Sequence, residues 1–328
     1  MIIHEIKVEQ VHLPFVRSFR HQGRDILGKD LAILTVYDEH QRLYRGEIGP
    51  LSGVHRENLR ESISALSKQK PEDLGESGSW PLHRHAFGSP YHTGIASLDS
   101  AWEQVLFQRW LDDKGSQSEF TAPIAGLITL DRESNALQDL LKQNFKSIKV
   151  KLGRDSFDAE LKALEQLVDT LASGTRLRLD ANQSLSTAQV RKLWDKFYDQ
   201  IEFFEEPFPS LEQNLALDGV PIALDECLWD RELDELAKDV YVVVKPMRLG
   251  LSRAFEWLAK GHPKDRLILS SCFDSGIALR SYLRFIQHFE LSASHGLGTY
   301  EYLAHDVMES RMPWEGSTMK LEEGYSYD

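Results

Sequence analysis

Between residues 122 and 295, short apolar runs alternate with longer stretches of helical spacing, and this alternation leaves the chain few folds to choose from. The runs cover 122–128, 147–152, 176–180, 201–205, 221–225, 240–245, 266–270 and 291–295. Between them, 132–142, 157–171, 187–197, 228–237, 252–260 and 276–289 carry apolar residues at helical spacing, and the link around 211–217 is short and weakly marked. Strands separated by crossover helices pair in parallel. Eight such units in roughly 180 residues predict a closed β/α barrel of the TIM type, with an open doubly wound sheet as the alternative. No glycine-rich phosphate loop follows any run, which weighs against nucleotide binding.

The first 115 residues follow another pattern. Runs at 2–14, 30–37 and 43–48, joined by short connections such as Asp38-Glu39-His40, predict an antiparallel meander. Segments 57–69 and 94–111 predict helices, the second with Ile95, Leu98, Trp102, Val105, Leu106 and Trp110 at helical spacing. Residues 75–90, rich in Gly, Ser and Pro, predict a loop that holds His83 and His85 near His92, without further metal ligands. The stretch 112–118 is a linker by composition, so an α+β unit over 1–115 precedes a barrel over 116–307.

Residues 17–29 contain Arg17, Arg20, Arg24 and Lys29, with His21 and two glycines, against one acidic residue, Asp25. In a chain of net charge −13 this excess reads as a solvated loop or as a glycine-hinged lid over an anionic substrate. The same net charge makes nucleic acid and anionic membranes poor partners. Cys227 and Cys272 supply neither a disulfide framework nor zinc spacing, as expected of a cytoplasmic protein. No apolar run reaches the ~18 residues that span a bilayer, and the first residues alternate like a strand, unlike a signal peptide.

In a barrel every C-terminal strand end meets at one mouth. The second to sixth runs end in Lys149-Val-Lys151, Asp180-Ala-Asn182, Glu205-Glu206-Pro207, Asp225-Glu226 and Lys245-Pro246. Lys149 and Lys151 share one strand face about 7 Å apart, with Ile148, Val150 and Leu152 on the other. Asp180, Glu205 and Asp225 are hard oxygen donors on neighbouring strands; they repel one another unless a cation sits among them, and the set suits Mg2+. The absence of His and Cys from the set weighs against zinc. A divalent ion among lysines suits removal of a proton next to a carboxylate, with the ion stabilising the enediolate. Like-charge repulsion between Lys149 and Lys151 is expected to lower a lysine enough to act as base.

These five motifs, in this order and spacing, resemble the enolase superfamily in its muconate lactonizing enzyme-like branch, and the resemblance covers essentially the whole chain. It implies a modified (β/α)7β barrel with an α+β N-terminal capping domain, to which the C-terminus, about 308–328, returns. It also implies that Asp180, Glu205 and Asp225 bind Mg2+ (Mn2+ being possible in such sites). Lys151 would take the α-proton, with Lys149 beside it, and Lys245 would steady the enediolate from the opposite face, with Asn182 and Glu206 in support. Within the branch, the compact length, Arg178-Leu-Asp-Ala-Asn182, Ser270-Ser271 and His295-Gly-Leu-Gly-Thr299 are most similar to dehydratases of menaquinone biosynthesis. These convert 2-succinyl-6-hydroxy-2,4-cyclohexadiene-1-carboxylate to o-succinylbenzoate; N-succinylamino acid racemases and dipeptide epimerases are the alternatives. The implied partner is a small dicarboxylate, with Arg178, Asn182, Arg20, Arg24, Ser270, Ser271 and the backbone at Gly296 as its candidate binding residues. Two departures from the family pattern, Gly298 and Ser271-Cys-Phe-Asp-Ser275, fall where the substrate's distal end is expected.

Overall fold

The structure, a computed structural model, describes residues 2–21, 24–69, 80–81, 91–115, 118–130, 140–229 and 237–322; at 20, 21 and 24 only the backbone is described. His83 and His85, and most of the expected helices at 132–142 and 228–237, lie outside the described residues.

The N-terminal sheet is an antiparallel meander of β1 (Ile3–His21), β2 (Arg24–Asp38) and β3 (Leu43–Ile48). The expected loop over 17–29 is instead the far end of the β1–β2 hairpin. Pairing shifts register after Pro14↔Gly28 and resumes with Phe19↔Ile26, Arg20↔Asp25 and His21↔Arg24. Gly28 is not a hinge: a Cβ there would lie 2.7 Å from His12 Nε2 and 2.8 Å from the Leu13 carbonyl, so the residue permits close strand approach. Helix α1 (Leu59–Leu66) starts with a capping box between Asn58 and Glu61. Helix α2 (Ala96–Lys114) lies across β3, where a Cβ on Gly46 would come within 2.2 Å of the Ala101 carbonyl. Gln104 and Gln108 of that helix accept the backbone N–H groups of Glu47 and Arg45.

The second sheet holds seven parallel strands in sequence order: β5 (Gly126–Thr129), β6 (Ser147–Lys151), β7 (Arg176–Asp180), β8 (Ile201–Glu205), β9 (Ile222–Leu224), β10 (Tyr241–Val244) and β11 (Leu267–Leu269). The helices are α3 (Phe157–Val168), α4 (Thr187–Phe197), α5 (Leu211–Leu215), α6 (Pro246–Leu249), α7 (Leu251–Ala259) and α8 (Gly276–Phe289). Ser156, Ser186, Ser210 and Ser275 cap α3, α4, α5 and α8 through their hydroxyls, each worth about 1 kcal/mol. The expected eighth strand at 291–295 is reduced to two parallel bridges, Ile124↔His295 and Ser270↔Gly296. Those bridges close the ring: His295 N–H donates to Pro123, Ala125 N–H to His295, and Gly296 N–H to Leu269. The first run is also divided. Its start, β4 (Phe120–Pro123), pairs antiparallel with β13 (Thr318–Leu321), which pairs with β12 (Trp314–Glu315). The C-terminal segment thus lies against the entry to the barrel.

Strand alternation sorts the core into two parts. Ile148, Val150, Leu179, Phe204, Leu224, Val244 and Leu269 face the helices in one large cluster, each worth about 1.5–3 kcal/mol of burial. Phe203, Ala223, Val243, Ile268 and Ala293 form a separate cluster, which occupies the barrel interior by alternation. Each stands two residues before Glu205, Asp225, Lys245, Ser270 or His295, so an apolar floor lies directly beneath the mouth.

Candidate active site

Register sets the first contacts. Lys151 pairs with Asp180, and Asp180 with Glu205, on adjacent strands. Lys149 Nζ lies 2.7 Å from Asp180 Oδ2 and 2.6 Å from Glu205 Oε1; Lys151 Nζ lies 2.5 Å from the same Asp180 oxygen and 3.0 Å from Asn182 Oδ1. Across the mouth, Lys245 pairs with Asp225 and lies 5.0 Å over the Trp229 ring, whose Nε1 donates to Asp225 at 3.2 Å. In the eight-position ring β6 and β10 stand four places apart, so Lys151 and Lys245 reach the mouth from opposite sides.

Asp180, Glu205 and Asp225 are each no more than 2% exposed. Burial drives the Asp180 carboxyl up, but Lys149 and Lys151 outweigh it and hold the group well below the usual range. Glu205 is pushed up by burial and by its like-charged neighbour Asp180. Burial opposes charge on Lys149 and Lys245, yet the carboxylates beside them prevail and raise both. The Lys149 ammonium lies against Asp180 and Glu205, on the same strand face as Lys151.

The turns after the strands are held by side chains. Glu206, fully buried with φ +41°, accepts the N–H groups of Asp225 and Cys227, each at 2.9 Å. Asn182, with φ +43°, bridges Lys151 to Glu226, donating to Glu226 Oε1 at 3.1 Å. Glu226 Oε2 is buried without a hydrogen-bond partner. Asp180, Glu205, Asp225 and Glu226 thus share three ammonium groups, while Glu206 is bonded to the backbone of the next turn. Among the described residues no three His, Cys, Asp or Glu side chains stand in metal-ligating geometry, for the ammonium groups lie against the carboxylate oxygens. The donor set nevertheless fits a hard divalent cation: carboxylate oxygens at the ends of three adjacent strands and an orphaned carboxylate oxygen nearby.

The mouth opens into a cavity of about 980 Å³, bounded below by Phe203, Val243 and Ile268 and above by Phe19, Leu51 and Val54 of the N-terminal unit. Ser270, Ser271 and Gly296 line it, but the Gly296 N–H is taken by the ring-closing bond to Leu269, and both serines lie 3.3–3.4 Å from the Gly296 carbonyl. The backbone at Gly296 therefore offers a substrate carboxylate no free donor. Arg178 lines the cavity as well, with its guanidinium engaged: a bulge between β7 and β8 accompanies the inward turn of Glu202, which binds it through two 2.8 Å contacts, and a third donor goes to the Ser294 carbonyl. The Arg178 fork braces the barrel wall. The side chains of Arg20 and Arg24 lie outside the described residues. Lys29, counted with the basic stretch, is buried and paired with Glu47 and Asp274. Phe273 and Thr299, from the two segments expected at the substrate's distal end, also line the cavity, as does Trp229, which nothing in its local sequence marks.

Comparison with known proteins places the fold in a family. The family described as Enolase C-terminal domain-like matches residues 132–324. Protein PHYLLO, chloroplastic, of Arabidopsis thaliana is 27% identical over 62% of this chain and 14% of its own length, so the chain spans about a seventh of that relative. The o-succinylbenzoate synthase of Vibrio cholerae is 26% identical over 86% of this chain and 85% of that protein. The L-Ala-D/L-Glu epimerase of Bacillus subtilis is 22% identical over 70% of this chain and 68% of that protein. Among solved structures, the Methylococcus capsulatus dipeptide epimerase, complexed with Mg and a dipeptide, superposes with TM-score 0.75 at 22% identity, covering 98% of this chain and 97% of that one. The Mg-complexed o-succinylbenzoate synthase of Thermosynechococcus elongatus superposes with TM-score 0.68 at 20% identity, covering 93% and 96%. At these identities the superpositions establish the fold.

Proposed function

Since the chain belongs to the Enolase C-terminal domain-like family, we propose that it is a Mg2+-dependent carbon–oxygen lyase that dehydrates 2-succinyl-6-hydroxy-2,4-cyclohexadiene-1-carboxylate to o-succinylbenzoate. The observation that carries this reading over dipeptide epimerisation is the chemistry of the cavity away from the lysines. There Ser271, Thr299, Gly298 and the rings of Phe273 and Tyr302 line the wall, and the lining carboxylates, Glu205 and Glu226, stand at the lysine end. A dipeptide's ammonium group would find no carboxylate there among the described residues, whereas a succinyl chain needs none; the Ser271 and Thr299 hydroxyls on that wall, 2.7 Å apart, bond each other.

Asp180, Glu205 and Asp225 would hold the ion. Mg2+, when bound, supplies positive charge where the enediolate develops. Lys151, in its neutral form, takes the proton from the carbon bearing the ring carboxylate. Lys245 stays charged on the opposite side, held so by Asp225 and Glu226, and steadies the negative charge that remains. The electron pair then expels the neighbouring hydroxyl, which leaves with the proton carried by Lys151 as water. Asn182 keeps the Lys151 amine aimed into the cavity. The apolar floor excludes water and strengthens each of these interactions.

Racemisation or epimerisation is the second reading, favoured by the placement of Lys151 and Lys245 on opposite sides of the mouth, as a two-base exchange of one α-proton requires. A spectrophotometric dehydration assay with Mg2+, then with excess chelator, tests the first. Metal-dependent turnover supports it. Silence from folded, metal-loaded protein, with α-deuterium exchange into N-succinylamino acids or dipeptides, replaces it with the second.

A further inference from the structure

A buried charge network reaches from the N-terminal sheet to the loop after β11, and we propose that it fixes the ring of Phe273 as a wall of the substrate cavity, with Lys29 as the positioning residue. This rests on the reading that the cavity holds the substrate, not on which substrate that is. Lys29, on β2, is 2% exposed. Its ammonium contacts Asp274 Oδ1 at 2.7 Å, Glu47 Oε1 at 3.0 Å and the Cys272 carbonyl at 3.0 Å, which uses all three of its protons. Glu47, on β3, accepts the Ser275 N–H at 2.7 Å and its hydroxyl at 2.6 Å, at the N-terminus of α8. Asp274 Oδ2 accepts the Cys272 N–H and the Tyr282 hydroxyl, each at 3.1 Å. Both peptide groups of Cys272 are therefore gripped through a single ammonium–carboxylate unit.

The next residue shows what the grip does. Phe273 has φ +59°, a left-handed conformation unfavourable for a bulky side chain and sustained only where the surroundings over-determine it. Its N–H donates to Thr299 Oγ1 at 3.1 Å. Its ring stacks on Phe15 at 4.8 Å and meets Phe19 at 4.7 Å and Tyr302 at 5.4 Å edgewise, with one surface on the cavity. Phe15 and Phe19 belong to β1, so the N-terminal sheet holds the Phe273 ring through its aromatics and the adjoining backbone through Lys29. A buried cluster of one ammonium and two carboxylates adds little net stability compared with apolar side chains of the same volume. Its directional bonds instead specify one loop shape out of several. A shift of this loop would move the Phe273 ring in the cavity without touching Lys151, Lys245 or the carboxylates between them.

The test compares wild type, Lys29→Met/Glu47→Gln and Phe273→Ala. The double variant removes one charge of each sign and leaves Asp274 bonded to Tyr282 and Cys272. Hydrogen–deuterium exchange over residues 270–275 reads the loop directly; KM and kcat for the cyclohexadiene substrate with Mg2+ read the cavity. The expected result is about tenfold faster exchange in the double variant, with KM raised about tenfold in both variants and kcat within about threefold of wild type. Wild-type exchange and KM in the double variant overturn the proposal, as does a fall in kcat at unchanged KM. If the double variant does not fold, an unchanged KM in Phe273→Ala overturns it. If wild type does not turn over the substrate, the dehydration reading falls, and exchange alone decides the tie: accelerated exchange upholds it and unchanged exchange overturns it.

Discussion

Replacing Glu206 by Gln tests how the turn bearing Asp225 is held. The two oxygens of Glu206 divide their work: Oε2 accepts the Asp225 N–H and Oε1 the Cys227 N–H, both at 2.9 Å in a fully buried setting. Glutamine has one acceptor oxygen, so its amide N–H2 must face one of those N–H groups. One charge-assisted hydrogen bond is lost, about 1.5–3 kcal/mol, and a buried donor is left unsatisfied at a cost of about 1–3 kcal/mol. The two overlap, and a net loss of about 3 kcal/mol is expected. With an unfolding entropy of about 2.1 cal/mol/K per residue over 328 residues, this lowers Tm by about 4 °C. Burial pushes the Glu206 carboxyl above its ordinary range, so raising the pH favours the carboxylate form that accepts both N–H groups, and the melt is compared at two pH values. Turnover should fall as well, since Asp225 loses its backbone anchor beside Lys245. A loss under about 0.5 kcal/mol, with wild-type turnover, would refute the reasoning, because the turn would then hold its shape without the second acceptor.

Three further outcomes are expected. Lys151→Ala should lower turnover by at least about 10³-fold while circular dichroism and the melt stay near wild type, and retained turnover removes Lys151 as the base. His295 is fully buried; burial first, then the nearby Arg178 guanidinium, hold its imidazole down to about 3 against an ordinary 6.5. The unfolded chain therefore takes up a proton that the folded state refuses. Stability from this group is fully present above pH 6.5 and is lost as pH falls towards 3, at up to about 1.4 kcal/mol per pH unit. His295→Gln should flatten the urea-derived stability slope between pH 6 and 4 by up to about one proton, and an unchanged slope assigns the acid sensitivity elsewhere. Neutralising Arg20 and Arg24 together should raise KM more than it lowers kcat; an unchanged KM makes the end of the β1–β2 hairpin a bystander.

The convergence of Lys149, Lys151, Asp180, Glu205, Asp225 and Lys245 could be read before any coordinates, because a strand has a side-chain period of two and a closed parallel sheet brings all its C-terminal ends to one rim. Sequence patterning by itself determined the order of parallel strands, the antiparallel N-terminal meander and which strand ends carry charge. Other features depended on partners remote in the chain. The segment 17–29 looks like a charged loop in isolation, yet pairing with its opposite strand extends the hairpin, and Lys29 passes inside to Asp274, 245 positions away. Arg178 has the same local signature as a ligand-binding arginine; only the bulge that accompanies the inward turn of Glu202 decides that it braces the wall. The run at 291–295 has the composition of a strand but meets its neighbours at single bridges, since closing a ring fixes where its last member can touch. Periodicity is local and therefore visible in one dimension. Whether a charge faces substrate or another buried charge is decided by the group opposite it, and that group is supplied only when distant segments pack.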